Sequence, residues 1–157
     1  MQDAPKFEIH VPGFQSSVEE SKRASGIPAS ELPPMSDEER KVAERLGISE
    51  EMYRREKLAG MYGHQRKEVR ALDLGSQVEG ILAGLGQEYR LASVNWNSDT
   101  LTWRLEVETP QGKQNVVLSW ELVDDALDFR TPGELQRLRN MVWFGLGRRD
   151  LIFRKHQ

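Results

Sequence analysis

The chain has 157 residues, of which 38% are hydrophobic and 30% charged, and its formal net charge is −3. That length gives one domain with a real core plus an extension, and the lack of a basic excess weighs against a dedicated nucleic-acid binder. Cysteine is absent, which excludes a disulfide scaffold, a thiolate zinc site and a cysteine nucleophile.

Met1-Gln2-Asp3-Ala4-Pro5 is not a basic start followed by an apolar run, so it does not read as a signal peptide. The apolar stretches are a few residues long, far short of a bilayer span, so no membrane contact is expected. The expected location is the cytoplasm, or a virion if the chain is phage-derived. Residues 1–35 contain Pro5, Pro12, Pro28, Pro33 and Pro34 and few large apolar side chains. Such a segment buries too little apolar surface to offset its ordering entropy, so it reads as an extended arm ordered by a partner. Within it, Lys6 to Val11 alternates polar with apolar, which puts Phe7, Ile9 and Val11 on one face of a strand. A lone strand needs a sheet edge to join, in its own domain or in a neighbouring molecule. These three residues are candidate partner contacts.

Residues 36–63 read as a charged helical hairpin. Ser36-Asp37-Glu38-Glu39 is a capping box, with the acids placed well at the positive end of the helix dipole. The first helix should stop at Gly47, and Ser49-Glu50-Glu51 should start a second that ends by Gly60 or Gly63. From Glu68 to Gly86, the spacing of Val78, Ile81, Leu82 and Leu85 is helical. Gly75, Gly80 and Gly84 each cost about 1 kcal/mol of helix propensity relative to alanine, and close packing of the helix against a sheet is their expected benefit.

Three strands follow. Tyr89–Trp96 is the first, and Asn97-Ser98-Asp99 is turn chemistry. Leu101, Trp103, Leu105 and Val107 alternate with polar residues in the second. Pro110-Gln111-Gly112 makes the next turn, and Val116, Leu118, Trp120 and Leu122 form the inward face of the third. Thr131-Pro132-Gly133-Glu134 then starts a helix with Leu135, Leu138, Val142 and Leu146 inward. Residues 64–147 thus read as an α-β-β-β-α module with a three-stranded antiparallel sheet, and 148–157 as a basic and apolar tail. The fold class is α+β. Trp103 and Trp120 are expected to share the buried face of adjacent strands, beneath the helices holding Ile81 and Leu138, and Trp96 to be exposed at a strand end.

Residues that carry chemistry are few. His10, His64 and His156 lack a metal-site spacing. Asp124, Asp125 and Asp128 could hold a cation or do acid–base work, but acids between a strand and a helix are more often a solvated turn. Gly-x-Ser-x-Gly does not occur, and Gly84-x-Gly86 follows a helix, not a strand. No catalytic, cofactor-binding or metal-ligating set is expected. Trp143-Phe144 is wider than one helix face needs, so one ring is a candidate partner contact. Leu151-Ile152-Phe153 is an apolar run suited to docking on a sheet edge, and its flanks Arg148, Arg149, Arg154 and Lys155 could clamp phosphates beside an exposed Trp96.

Residues 36–53, Ser36-Asp37-Glu38-Glu39 through Leu46-Gly47-Ile48-Ser49 to Tyr53, resemble a short element of tailed-phage head-assembly proteins of the Mu-type prohead protease and scaffold family. The resemblance implies a component of a phage-like particle, and it carries over no catalytic residue. The helix–three-strand–helix order is also similar to double-stranded RNA-binding domains, although the last helix begins with Thr131-Pro132-Gly133-Glu134 where those domains are lysine-rich. The expected function is therefore a non-enzymatic structural or assembly protein. Its partners would be other protein subunits in a larger assembly. Nucleic-acid binding through the basic tail is the alternative.

Overall fold

The computed structural model describes residues 6–12 and 17–153. They form a mixed α+β fold of two compact units, residues 13–67 and residues 1–12 with 68–157.

In the smaller unit, α1 (Val18–Ser25) is capped by Ser17, whose hydroxyl accepts from the Glu20 amide. A 3-10 turn at Ala29–Glu31 follows. Helix α2 (Asp37–Leu46) has the reciprocal Ser36–Glu39 capping box and ends at Gly47 with φ +70°, the left-handed conformation that glycine adopts without cost. Helix α3 (Glu50–Ala83) begins where expected, with Ser49 Oγ accepting from the Met52 amide at 3.1 Å.

Two arginines of α3 organise this unit. Arg55 Nη1 donates to the carbonyls of Ala24, Ser25 and Ile27 at 2.9, 3.3 and 2.7 Å. The first two end α1, where backbone acceptors lack helical partners and the dipole is negative, and Ile27 follows its cap at Gly26. Arg54 does the same for the 3-10 turn, donating through Nε to Pro33 O at 2.8 Å and through Nη2 to Leu32 O at 2.8 Å and Ala29 O at 3.3 Å. The expectation of an extended, partner-ordered arm over residues 1–35 is corrected for the described residues, which form a short strand at Glu8–His10, α1 and the 3-10 turn on the chain itself. The segment's proline-rich backbone is short of apolar surface, but guanidinium donors satisfy its carbonyls. A hairpin ending at Gly60 or Gly63 is corrected as well, because α3 runs on to Ala83. Buried positions Ala59, Gly63, Lys67, Ala71, Leu74, Val78 and Leu82 recur every three or four residues. That continuous stripe outweighs the propensity lost at each glycine.

In the larger unit the sheet order is β1-β2-β3-β4, from β1 (Glu8–His10), β2 (Arg90–Asn97), β3 (Thr102–Thr109) and β4 (Gly112–Ser119). The three-stranded meander is antiparallel as expected, and a fourth strand joins it. Strand β1 pairs in parallel with β2, Ile9 opposite Val94. The Phe7 ring lies on α3 at Gly75, where an added Cβ would overlap it. Close packing is thus the reason for Gly75 but not for Gly80, which meets nothing within 4 Å.

The sheet's inner face is set by Leu91, Val94 and Trp96, by Trp103, Leu105 and Val107, and by Val116 and Leu118, all buried with Leu74, Val78, Leu82, Leu138 and Val142. A bulge between Leu91 and Ser93 shifts the alternation in β2 by one residue. It places Trp96 opposite Trp103, with ring centroids 4.8 Å apart and planes tilted by 51°. Trp96 is 3% exposed, so its expected exposure is wrong: the neighbouring indole covers it.

Trp120 is also corrected. It opens helix α4 (Trp120–Phe129), capped by Ser119, and is 39% exposed. Strand alternation continues by coincidence into the first turn of α4, while Val123, Ala126 and Leu127 carry the helical period and are buried. Leu101 likewise leaves the strand face; it is exposed with φ +55° in the turn after Asn97, whose side chain accepts from the amides of Asp99 and Thr100.

A candidate protein-docking face on the last two helices

Helix α5 (Pro132–Gly145) is capped by Thr131, which accepts from the Glu134 amide at 3.3 Å. Leu138, Val142 and, just past the helix, Leu146 bury its inner side. At Gly145 an added Cβ would come 2.8 Å from Val116 Cγ1, so α5 approaches β4 closely at that point. This packing turns Met141 and Phe144, three residues apart, to the outer side. They are 40% and 52% exposed.

Gly147, at φ +76°, reverses the chain into α6 (Arg149–Phe153). The Arg148 amide bonds to Trp143 O at 2.8 Å, and the Arg148 guanidinium holds Asp150 at 3.1 Å on two edges and Tyr89 Oη at 3.3 Å. The Asp150 hydrogen bond, then Tyr89, makes Arg148 harder to deprotonate, and the Arg148 hydrogen bond in turn holds the Asp150 carboxyl below its ordinary value. With the turn fixed, Arg149 lies 5.3 Å from the Phe144 ring centroid. Phe153, four residues on along α6, is 63% exposed. Met141, Phe144, Arg149 and Phe153 therefore share one apolar, positively edged face.

Of the anticipated contacts, Phe144 and Phe153 are on this face. Leu151 and Ile152 are half-buried in α6, and the run they form is helical instead of an extended edge strand. Trp143 is half-buried, with Arg139 5.9 Å from its ring centroid. Phe7 is corrected as a partner contact: it is 5% exposed in the chain's own core, with Ile9 and Val11 packed against that core.

Of the residues proposed for nucleic acid, the three that are described do not form a joint site. Trp96 is buried, Arg148 is engaged by Asp150 and Tyr89, Arg149 sits at Phe144, and Arg154 and Lys155 lie outside the described residues. The acidic run is structural. Arg70 of α3 pairs with Asp124 at 3.4 Å and Asp128 at 2.5 Å, and Arg130 pairs with Asp73 at 2.5 Å. His10 lies 3.2 Å from Glu8, His64 is on α3 and His156 is outside the described residues. Among the described residues there is no metal-holding cluster and no helix long and apolar enough to cross a membrane.

Sequence reasoning missed Met141 and Arg139. Their signal was indirect: once Leu138 and Val142 are inward, the helical period sends Met141 and Phe144 outward. No family model, curated protein or solved structure matches the chain.

Proposed function

We propose that this chain is a structural or assembly protein that works through protein–protein contacts and not through catalysis. The observation that carries this reading is the α5–α6 face, where Met141, Phe144 and Phe153 are exposed beside Arg149. Exposed aromatics edged by arginine are the composition of interface cores. The resemblance of residues 36–53 to head-assembly proteins supports a phage-like particle as the setting.

The test is photo-crosslinking in the native source, with benzoylphenylalanine placed at Phe144, at Phe153 and, as a control, at Val117. Val117 is 56% exposed on the opposite side of the sheet. Discrete protein crosslinks, to a second copy or another subunit, are expected from 144 and 153 and not from 117. Equal, diffuse labelling at all three positions refutes the reading.

A further inference from the structure

Helices α3 and α5 leave an open trough between them, of about 650 Å³, within the larger unit. On the α3 side Gly80 and Gly84 lower the wall, and nothing lies within 4 Å of where a Gly80 Cβ would stand. Ile81, Leu85 and Leu151 give it apolar surface, and Arg139 and Arg148 give it charge; among the described residues no Asp or Glu lines it. Its volume suits a few side chains, while its openness would leave a small metabolite too exposed for the burial such ligands need.

The charge pattern distinguishes this trough from the rest of the unit. Between α3 and α4, Arg70 and Arg130 meet aspartates. Between α3 and α5, Arg139 meets a neutral amide, Gln136 Oε1 at 3.2 Å, and the Trp143 ring, and among the described residues it has no carboxylate partner. Arg148 is already neutralised by Asp150. The Trp143 indole N–H, shielded from solvent, has no hydrogen-bond partner. A guanidinium stacked near an indole keeps its outer N–H edge for a carboxylate. On a chain of net charge −3, this is a local preference for an acid.

We infer that the trough docks a segment of a partner protein carrying an acidic side chain next to a leucine-sized apolar one. The carboxylate meets Arg139, and the apolar side chain lies over Gly80 beside Ile81 and Leu85. This inference rests on the protein–protein reading above and names the chemistry of the partner.

The probe is a random twelve-residue peptide display library selected on the full-length protein, followed by fluorescence anisotropy of the enriched peptides. Enrichment of Asp or Glu within two residues of Leu or Ile is expected, with affinity falling as salt screens the pair. Arg139 is exposed and Gly80 has open space above it, so neither substitution threatens the fold. Arg139→Glu and Gly80→Leu should each weaken binding at least tenfold. A peptide with lysine in place of its acid should regain binding to Arg139→Glu. Failure to enrich acidic–apolar peptides, or equal binding by wild type and Arg139→Glu, overturns the inference. Crosslinks from positions 144 and 153 would survive that failure, and their absence would count against the broader reading instead.

Discussion

Gly75→Ala isolates the contact that ties the N-terminal strand to its own domain. Alanine in a helix interior is better than glycine by about 1 kcal/mol, so with nothing above Gly75 the substitution would stabilise. Here the new Cβ overlaps the Phe7 ring, which is 5% exposed. Either the ring leaves, forfeiting roughly 1.5–3 kcal/mol of burial, or the core strains by roughly 1–3 kcal/mol. Set against the propensity gain, the net expectation is a loss of up to about 2 kcal/mol. In a Phe7→Ala background the obstacle is gone, and Gly75→Ala should stabilise by up to about 1 kcal/mol. Urea denaturation of the four proteins measures the cycle. A reversal of sign between backgrounds is the expected result. If Gly75→Ala stabilises both, Phe7 does not rest on α3 and β1 is not part of the sheet in solution.

Trp103→Ala should cost about 3–5 kcal/mol by the same titration, as for other buried aromatics, and Trp120→Ala, on an exposed helix start, less than about 1 kcal/mol; equal losses would mean that Trp120 is core after all. Arg55→Met should expose the amides of α1 to faster hydrogen exchange and cost about 1.5–3 kcal/mol, because three carbonyls lose a charged donor; unchanged exchange in α1 would show that water replaces the guanidinium. Burial raises the Glu20 carboxyl, but the hydrogen bond and charge of Arg66, with the amides of Glu20 and Ser17, outweigh it and leave the group below its ordinary value. A lowered folded value contributes stability above the unfolded carboxylate range, near pH 4, and loses it as pH falls through the folded value. Protection of α1 should therefore fall below about pH 4 in wild type, and the fall should be shallower in Glu20→Gln; identical acid profiles would dissociate Glu20 from it.

Parts of both units were legible because their signals are local. Trp103, Leu105 and Val107 alternate cleanly, and Ser36–Glu39 and Gly47 bound α2 by backbone chemistry that any fold would respect. The errors arose where distant parts of the chain decide. Period two runs past Ser119 into Trp120 and Leu122, and only the cap at Ser119 and the buried set Val123, Ala126 and Leu127 reveal the switch. The length of α3 depends on a stripe of burial that no propensity sum over Gly60, Gly63 and Gly75 would favour. The carbonyls at the end of α1 are bonded by Arg55, about thirty residues away.

The candidate site follows the same division. Phe7, Ile9 and Phe144 are all apolar residues whose sequence neighbours do not say what covers them. For Phe7 the covering surface is Gly75 of α3, so its apolar area is spent inside the chain. For Phe144 the inward places on α5 are already taken by Leu138 and Val142, and Gly145 seats the helix against Val116 too closely for it to roll. Phe144 therefore faces outward. The Arg149 guanidinium lies over one side of it, and about half of the residue stays exposed. The difference between a segment packed into the chain's own core and a helix face left exposed thus comes from which positions on the neighbouring helices are already filled.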